Sequence, residues 1–352
     1  MRKYNKNFKL GHFDAEKSSC LLIAEAGVNH NGSLELARKL VDVAKEANAD
    51  VIKFQTFKTE NLVAETTSMA PYQKENLKKN QTQFEMLKKL ELSESDFRTL
   101  FEYCKKKGII ALSTPFDLES VDLLERLNVP AYKIASGEIT NTPLIEKIAK
   151  TNKPIILSTG AANYAEINDV VSIASNSSGG LAILHCVTDY PTKFEDLNLN
   201  VMKTIEKMFG LPVGFSDHTE GLEASLAAAA LEARIIEKHF TLDKNMEGPD
   251  HKASLNPDEL KQWVRSIRNI EKGLGDGVKR LSEREEEIKE YMRKSIIAKR
   301  DILAGERLNN DNIAIMRPEK GIPPKYWKQV IGKKTKKGIM KFHPLTWSDI
   351  ED

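Results

Sequence analysis

Between Cys20 and about Thr241, short β-rich runs alternate with helical stretches eight times over, and few architectures accept that repeat. The strand candidates are CLLIAEAG (20–27), DVIKFQTF (50–57), GIIALSTP (108–115), AYKIASGE (131–138), PIILSTG (154–160), LAILHCV (181–187), VGFSDHT (213–219) and RIIEKHFT (234–241). Between them, segments such as SLELARKLVDVAKEA (33–47), SESDFRTLFEYCKKK (93–107) and GLEASLAAAALEA (221–233) place apolar residues three or four apart, the helical spacing. A last helix opens at Pro257. Eight strand-helix pairs in roughly 250 residues predict an α/β fold of the TIM (β/α)8 type. An open doubly wound sheet fits less well, because no GxGxxG turn follows the first strand.

Two stretches depart from the repeat. Residues 58–92 are too long for an ordinary βα loop and predict a lid or a substrate-binding wall, against the alternative of a solvated insertion. Residues 276–294 are charged and poor in large apolar side chains, which predicts a helical linker. The expected organisation is a catalytic barrel over 1–275, a linker over 276–293 and a small β-rich module over 294–352. In that module Ile302, Leu308 and Ile313 repeat the spacing of Ile339, Leu345 and Ile350.

With 53 Lys+Arg against 51 Asp+Glu the net charge is +2, which argues against a dedicated nucleic-acid binder. The lysines of 333–341 read as a solvated face. Cys20, Cys104 and Cys186 are odd in number and lack CxxC spacing, so a disulfide framework or zinc knuckle is not expected and a reducing compartment is. The start, MRKYNKNFKLGHF, lacks the roughly 7 to 15 apolar residues of a signal peptide. No run approaches the ~18 apolar residues of a membrane span. A cytoplasmic protein is expected.

In a TIM barrel the reacting groups stand at the carboxyl ends of the strands. Here those ends carry Glu25, Asn29 and His30; Lys53 and Gln55; Thr114; Lys133, Ser136 and Glu138; Ser158 and Thr159; His185; Ser216, Asp217 and His218; and His239. Lys53 and Lys133, with the hydroxyls of Thr114, Ser136, Ser158 and Ser216, suit a small di-anion bearing phosphate and carboxylate, unless the lysines snorkel to bulk water. His218 and His239 close the seventh and eighth strands, and as neighbours they would converge on one divalent ion with open positions. His30 and His185 are lesser candidates for that ion. Glu25, Glu138 and Asp250 are carboxylates for proton handling or for sugar hydroxyls. The alternative for Asp250 is a turn residue bonded to its own backbone.

The motifs IAEAGVNHNGS (23–33), VIKFQTFK (51–58), STPFD (113–117), YKIASGEI (132–139), GFSDHT (214–219), EKHFTLDK (237–244), GPDHKASLNPDEL (248–260) and MRPEKGI (316–322) resemble those of the sialic acid (nonulosonate) synthase family. The likeness extends over nearly the whole chain, and the terminal module is similar to that family's antifreeze-like (SAF) domain. The resemblance implies condensation of phosphoenolpyruvate with an N-acetylated mannosamine-type sugar, with release of phosphate. It implies that His218 and His239 hold the metal, Mn2+ before Mg2+ or Co2+. It further implies that Lys53, Thr114, Lys133, Ser136, Ser158 and Ser216 bind phosphoenolpyruvate, and that Glu25 and Glu138 handle water and protons. Gln55, Tyr190 and Asp250 would meet the sugar, as would Arg317, delivered to a neighbouring subunit's barrel in a domain-swapped homodimer.

Within the family, APYQ (70–73), TPFDLESVDLL (114–124) and FTLDKNMEGPDHKASL (240–255) resemble the bacterial legionaminic acid synthases. A 2,4-diacetamido-6-deoxy sugar favours a less polar pocket than N-acetylmannosamine, and Met69 and Tyr72 are expected to help line it. Two readings compete. An octulosonate- or heptulosonate-type synthase would take phosphorylated sugars but leaves the terminal module unexplained. A non-enzymatic antifreeze-like binding protein leaves the polar strand ends without a purpose.

Overall fold

A computed structural model describes residues 7–77, 79, 81–175 and 177–351. Residues 1–6, part of the stretch read above as lacking a signal sequence, lie outside the described residues, as do positions 78 and 80 of the long insertion. The chain divides into two compact units, Met1–Gly275 and Asp276–Asp352.

In the first unit the predicted strands form as β1 (Leu21–Gly27), β2 (Val51–Thr56), β3 (Ile110–Pro115), β4 (Tyr132–Ile134), β5 (Ile155–Ser158), β6 (Leu181–Cys186), β7 (Val213–Asp217) and β8 (Ile235–His239). Every pairing among them is parallel, in the order β3-β2-β1-β8-β7-β6-β5-β4. The first strand thus bonds to the second and to the last, and β3 and β4 also lie side by side, so the sheet curls into a nearly closed TIM-like barrel.

Side chains alternate across each strand, and both faces are buried, which is why the strands read as near-continuous apolar runs. The inner set includes Ile23, Val51, Leu112, Ile156, Leu184 and Ile235, which pack against Phe8, Leu10 and Phe13 of an N-terminal hairpin. That hairpin stoppers one end of the barrel. The outer set, including Leu22, Ile52, Phe54, Ile155 and Ile236, packs under the surrounding helices. The helices begin where short polar side chains satisfy their first amides: Ser33 for Leu34–Glu46, Ser93 for Glu94–Lys107 and Asn256 for Pro257–Leu274.

One strand departs from expectation. The fourth ends at Ile134, and Ser136–Glu138 turn into a 3-10 helix closed by Glu138 N donating to Ala135 O at 3.0 Å. The ladder gives way where the polar residues begin, and the turn aims them at the barrel's mouth.

The insertion folds into helices Thr59–Leu62, Pro71–Leu77 and Gln83–Leu90 around a small core of Val28, Phe57, Met69, Met86 and Leu90. Its two ends are latched by one side chain. Glu91 accepts from Lys58 Nζ at 2.8 Å, Thr59 N at 3.1 Å and Thr59 Oγ1 at 3.0 Å. Burial works to raise this carboxyl, but these donors outweigh it and hold it at about 2.

The second unit pairs β9 (Ser295–Ala298) antiparallel with β10 (Ile313–Met316). All six residues of the sequence echo are buried in its core, and Ile302 bridges Ile339. The charged stretch forms the helix Glu283–Met292, tied to this unit by Glu319 N donating to Glu290 O at 2.8 Å and by the Lys320–Glu290 ion pair. Among the described residues no helix is long and apolar enough to cross a membrane.

Replacing Glu91 with Gln keeps the shape but removes the charge from the latch. A charge-assisted hydrogen bond contributes about 1.5 kcal/mol at its low end, so opening of the insertion should become roughly ten-fold easier while the barrel's melting temperature moves little. Limited proteolysis of 63–83 at pH 7 reads this directly. Because the native carboxyl is depressed, the latch's contribution is complete above the unfolded pKa near 4.5 and fades as pH falls through about 2. The difference between wild type and Glu91→Gln should therefore shrink in acid.

Candidate active site at the carboxyl end of the barrel

The polar strand ends meet in a cavity of about 590 Å³. It is lined by Glu25, Lys53, Gln55, Thr114, Lys133, Ser136, Glu138, Ser158, Tyr190, Ser216, His218, His239 and Asp250, whereas His30, His185, Met69 and Arg317 do not line it. Arg317 belongs to the second unit, where its Nε donates to Met292 O at 3.0 Å.

Lys53 and Lys133 do not snorkel outward; they are 2% and 3% exposed. Lys53 Nζ donates to Thr114 Oγ1 at 3.0 Å and pairs with Glu25 Oε2 at 2.8 Å. Lys133 Nζ donates to Ser158 Oγ at 2.7 Å. Between the two stands Glu237, with carboxylate oxygens 3.7 Å from each ammonium and Ser216 Oγ donating to it at 3.2 Å. Burial opposes ionisation of Glu237, yet Lys133 and Lys53 overcome it and pull the carboxyl to about 2. Glu25 lies on the other side of that balance. Burial lifts it to about 7 in spite of Lys53, with repulsion from Glu237 adding to the rise. Glu237 therefore carries the negative charge, and Glu25 is the carboxyl that holds a proton near neutrality.

Glu237 escaped the sequence reading, although the signal was present. It stands two residues before His239 on one strand, and the period of two puts both on the inner face. The same alternation removes other candidates. His185 falls between the inward Leu184 and Cys186 and points out, its Nε2 against Leu197 O at 2.7 Å. His30 packs beside Phe54, with ring centroids 6.3 Å apart, and its Nδ1 accepts from Gly32 N. Neither lines the cavity, so both are struck from the metal candidates. Asn29 and Thr159 spend their side chains on backbone carbonyls, Phe240 O and Leu184 O.

His218 and His239 do converge, their ring centroids 5.7 Å apart. His218 Nδ1 meets Val187 O at 2.8 Å, which makes that nitrogen the donor and leaves Nε2 with a free lone pair. His239 Nδ1 is buried and has no hydrogen-bond partner among the described residues. Two imidazoles side by side, one with an orphaned nitrogen, fit a divalent ion with open positions. Among the described residues there is no group of three or more His, Cys, Asp or Glu placed to enclose an ion.

Tyr190 lies against His218 at 4.1 Å between centroids, and Tyr72 of the insertion stacks on Tyr190 at 5.1 Å. Asp250 faces the same wall; burial raises its carboxyl to about 6 against the pull of His218. Glu138 is raised by burial too, although Asn141 Nδ2 donates to it at 2.7 Å. The insertion thus forms a wall of the cavity, contributing Leu62, Tyr72, Gln73 and Met86 among others. Met69 is a correction: at 3% exposure it packs beneath that wall rather than facing the cavity.

Two glycines make the close approach possible. Gly27 ends β1 at φ +53, a left-handed backbone that favours glycine, and a Cβ there would press on Gln55 Nε2 at 3.3 Å. At Gly160 a Cβ would overlap Thr188 Oγ1, and its bare N–H donates to Ser136 Oγ at 2.9 Å.

Comparison with known proteins agrees with this geometry. Residues 40–279 match the NeuB family and residues 293–351 the SAF domain. The chain is 48% identical to the N,N'-diacetyllegionaminic acid synthase of Campylobacter jejuni, over 89% of this chain and 95% of that protein. It is 43% identical to the enzyme of the same name from Legionella pneumophila, over 95% of each. The solved structure of N-acetylneuraminic acid synthetase from Leptospira borgpetersenii superposes with a TM-score of 0.70 at 34% identity, covering 82% of this chain and 96% of that one. The chain belongs to the NeuB family, the sialic acid synthase-type enzymes, and carries a SAF domain at its C-terminal end.

Proposed function

We propose that this enzyme condenses phosphoenolpyruvate with 2,4-diacetamido-2,4,6-trideoxymannose, giving a legionaminate-type nonulosonate and phosphate. The observation that carries the reading is the pair of buried lysines facing, across one cavity, two imidazoles and a wall of tyrosines. Burial pushes Glu25 toward its neutral form, so Glu237 is the carboxylate set against both Lys53 and Lys133, and the two ammoniums retain positive charge for an anion. The hydroxyls of Thr114, Ser136, Ser158 and Ser216 supply directed donors to its phosphate and carboxylate.

In the reaction, C3 of the enol phosphate forms a bond to the sugar's aldehyde carbon, water adds at C2, and the C2–O bond to phosphate breaks. A divalent ion held by His218 and His239, Mn2+ in the first instance, would supply Lewis-acid polarisation of the aldehyde. The new alcohol needs a proton and the attacking water must lose one. Glu25 and Glu138, both raised by burial, are the carboxyls suited to those transfers. Tyr190, Gln55 and Asp250 orient the sugar, and Tyr190 and Tyr72 shield it from water.

The apolar side of the cavity, with Val28, Phe57, Leu62, Met86 and Leu90, favours the deoxy, doubly N-acetylated sugar over N-acetylmannosamine. A well-filled apolar pocket discriminates by about ten-fold or more per methyl-sized group. Purified enzyme given phosphoenolpyruvate and each sugar should show at least that preference in kcat/KM, with the product identified by mass. Preference for N-acetylmannosamine overturns the choice of sugar; turnover only with arabinose 5-phosphate or erythrose 4-phosphate overturns the whole reading.

We assign Arg317 to the sugar bound in a neighbouring copy's barrel, within a homodimer. His218→Ala and Arg317→Ala should each lose turnover while remaining folded, and co-refolding the two should restore part of it. No recovery on mixing counts against the arrangement.

Glu237→Leu strips the shared counter-charge from two buried lysines; Lys53 keeps Glu25, and Lys133 loses its ion-pair partner. Leaving a buried charge uncompensated costs about 3–5 kcal/mol, which denaturant unfolding measures. Millimolar inorganic phosphate should stabilise this variant more than the wild type, since an anion can take the lost carboxylate's place; no stabilisation of either protein would deny that the lysines form an anion site.

A further inference from the structure

His218 and His239 stand on the inner side of the barrel, and one residue before each, on the outer side, stand Asp217 and Lys238. We propose that the buried Asp217–Lys238 ion pair is a positioning device that sets the separation and tilt of the two imidazoles, and hence the site's affinity for a divalent ion. The inference rests on the reading of His218 and His239 as the pair that holds the ion.

The argument begins with register. The ladder between β7 and β8 runs through Ile236–Phe215 and Glu237–Ser216 and ends at Lys238–Asp217. Beyond that rung the strands part: His239 pairs instead with Glu25 of β1, and His218 lies past the end of β7. The ion pair is therefore the last tie between the two strands before the imidazoles. Lys238 Nζ meets Asp217 Oδ2 at 2.9 Å, with the side chains 1% and 0% exposed.

The surrounding bonds all act on the backbone that carries His218. Asp217 Oδ1 accepts from Thr219 N at 2.9 Å and Thr219 Oγ1 at 2.7 Å, and Oδ2 accepts from Ser225 Oγ at 2.5 Å. Lys238 Nζ donates onward to Thr219 O at 2.9 Å. Residues 217 and 219 are thus clamped on either side of His218, and the clamp is a side chain of the strand that carries His239. His218 is fixed from within the cavity as well, by Val187 O. The nitrogen His239 Nδ1 has no such partner among the described residues, so the placement of that ring depends on its strand.

Stability alone does not account for the pair. A buried ion pair adds little over a well-packed apolar pair of similar volume, whereas fixing a metal-holding histidine from behind has a direct effect on binding.

The test uses the full chain, freed of metal with a chelator and titrated with Mn2+, the free ion being followed by electron paramagnetic resonance. Wild type should bind and His218→Ala should not. The apolar double variant Asp217→Leu/Lys238→Met should fold with a lowered melting temperature, since it orphans the buried donors of Thr219 and Ser225, and lose about 10–100-fold in Mn2+ affinity, whereas Lys238→Arg should recover most of both losses. If the double variant does not fold, Ser225→Ala and Thr219→Val each remove one donor to Asp217, and each should weaken Mn2+ binding in the same direction. Unchanged affinity in the folded double variant, or in both single variants, overturns the positioning role and leaves the two-histidine site standing. A wild type that takes up no Mn2+, or a His218→Ala variant that binds like wild type, overturns the two-histidine reading and this inference with it.

Discussion

Removing an ammonium group from water costs several kcal/mol unless a carboxylate accompanies it, and the cavity wall alone removes two, Lys53 and Lys133. Glu237, 3.7 Å from both Lys53 and Lys133, makes that possible. It stays ionised because of them, and it in turn favours the charged form of each, although burial still draws Lys133 below its usual value. Once that charge is committed, Glu25 is left as a carboxyl beside an already neutralised lysine, and burial keeps it protonated up to about pH 7. A site that must accept an anion and also move protons needs both kinds of carboxyl. Here one cluster provides them, because the two acids share a single cation unequally.

The fold was legible because it is written in a period. Eight apolar runs separated by amphipathic stretches leave few topologies, and parallel strands buried on both faces cannot disguise themselves as polar loops. The site was legible for a related reason: Lys53, Lys133, His218 and His239 are residues a packed core rejects unless something compensates them. The echo of Ile302, Leu308 and Ile313 in Ile339, Leu345 and Ile350 proved to be the core of the second unit.

What stayed hidden was mostly a matter of which way a side chain faces. Glu237 and Lys238 are adjacent and both charged, yet one lines the cavity and the other is buried behind it. Only the register of β8 against β7 and β1 separates them. His185 failed as a ligand candidate for the same reason, sitting one position out of phase with Cys186. Met69 was misjudged because a loop has no period at all; its place beneath the wall follows from how three short helices pack, which no local pattern encodes.

The insertion over residues 58–92 has a wider consequence. Lengthening a loop adds little closure entropy, and this one has its own small core and is joined at its base by Glu91. It therefore behaves as a cassette: its inward face can be rewritten without disturbing the strands that hold the lysines and histidines. Part of the cavity's wall is thus inherited on a stretch of chain separate from the strands that carry the lysines and histidines, so the shape of the cavity and its charged floor can vary independently.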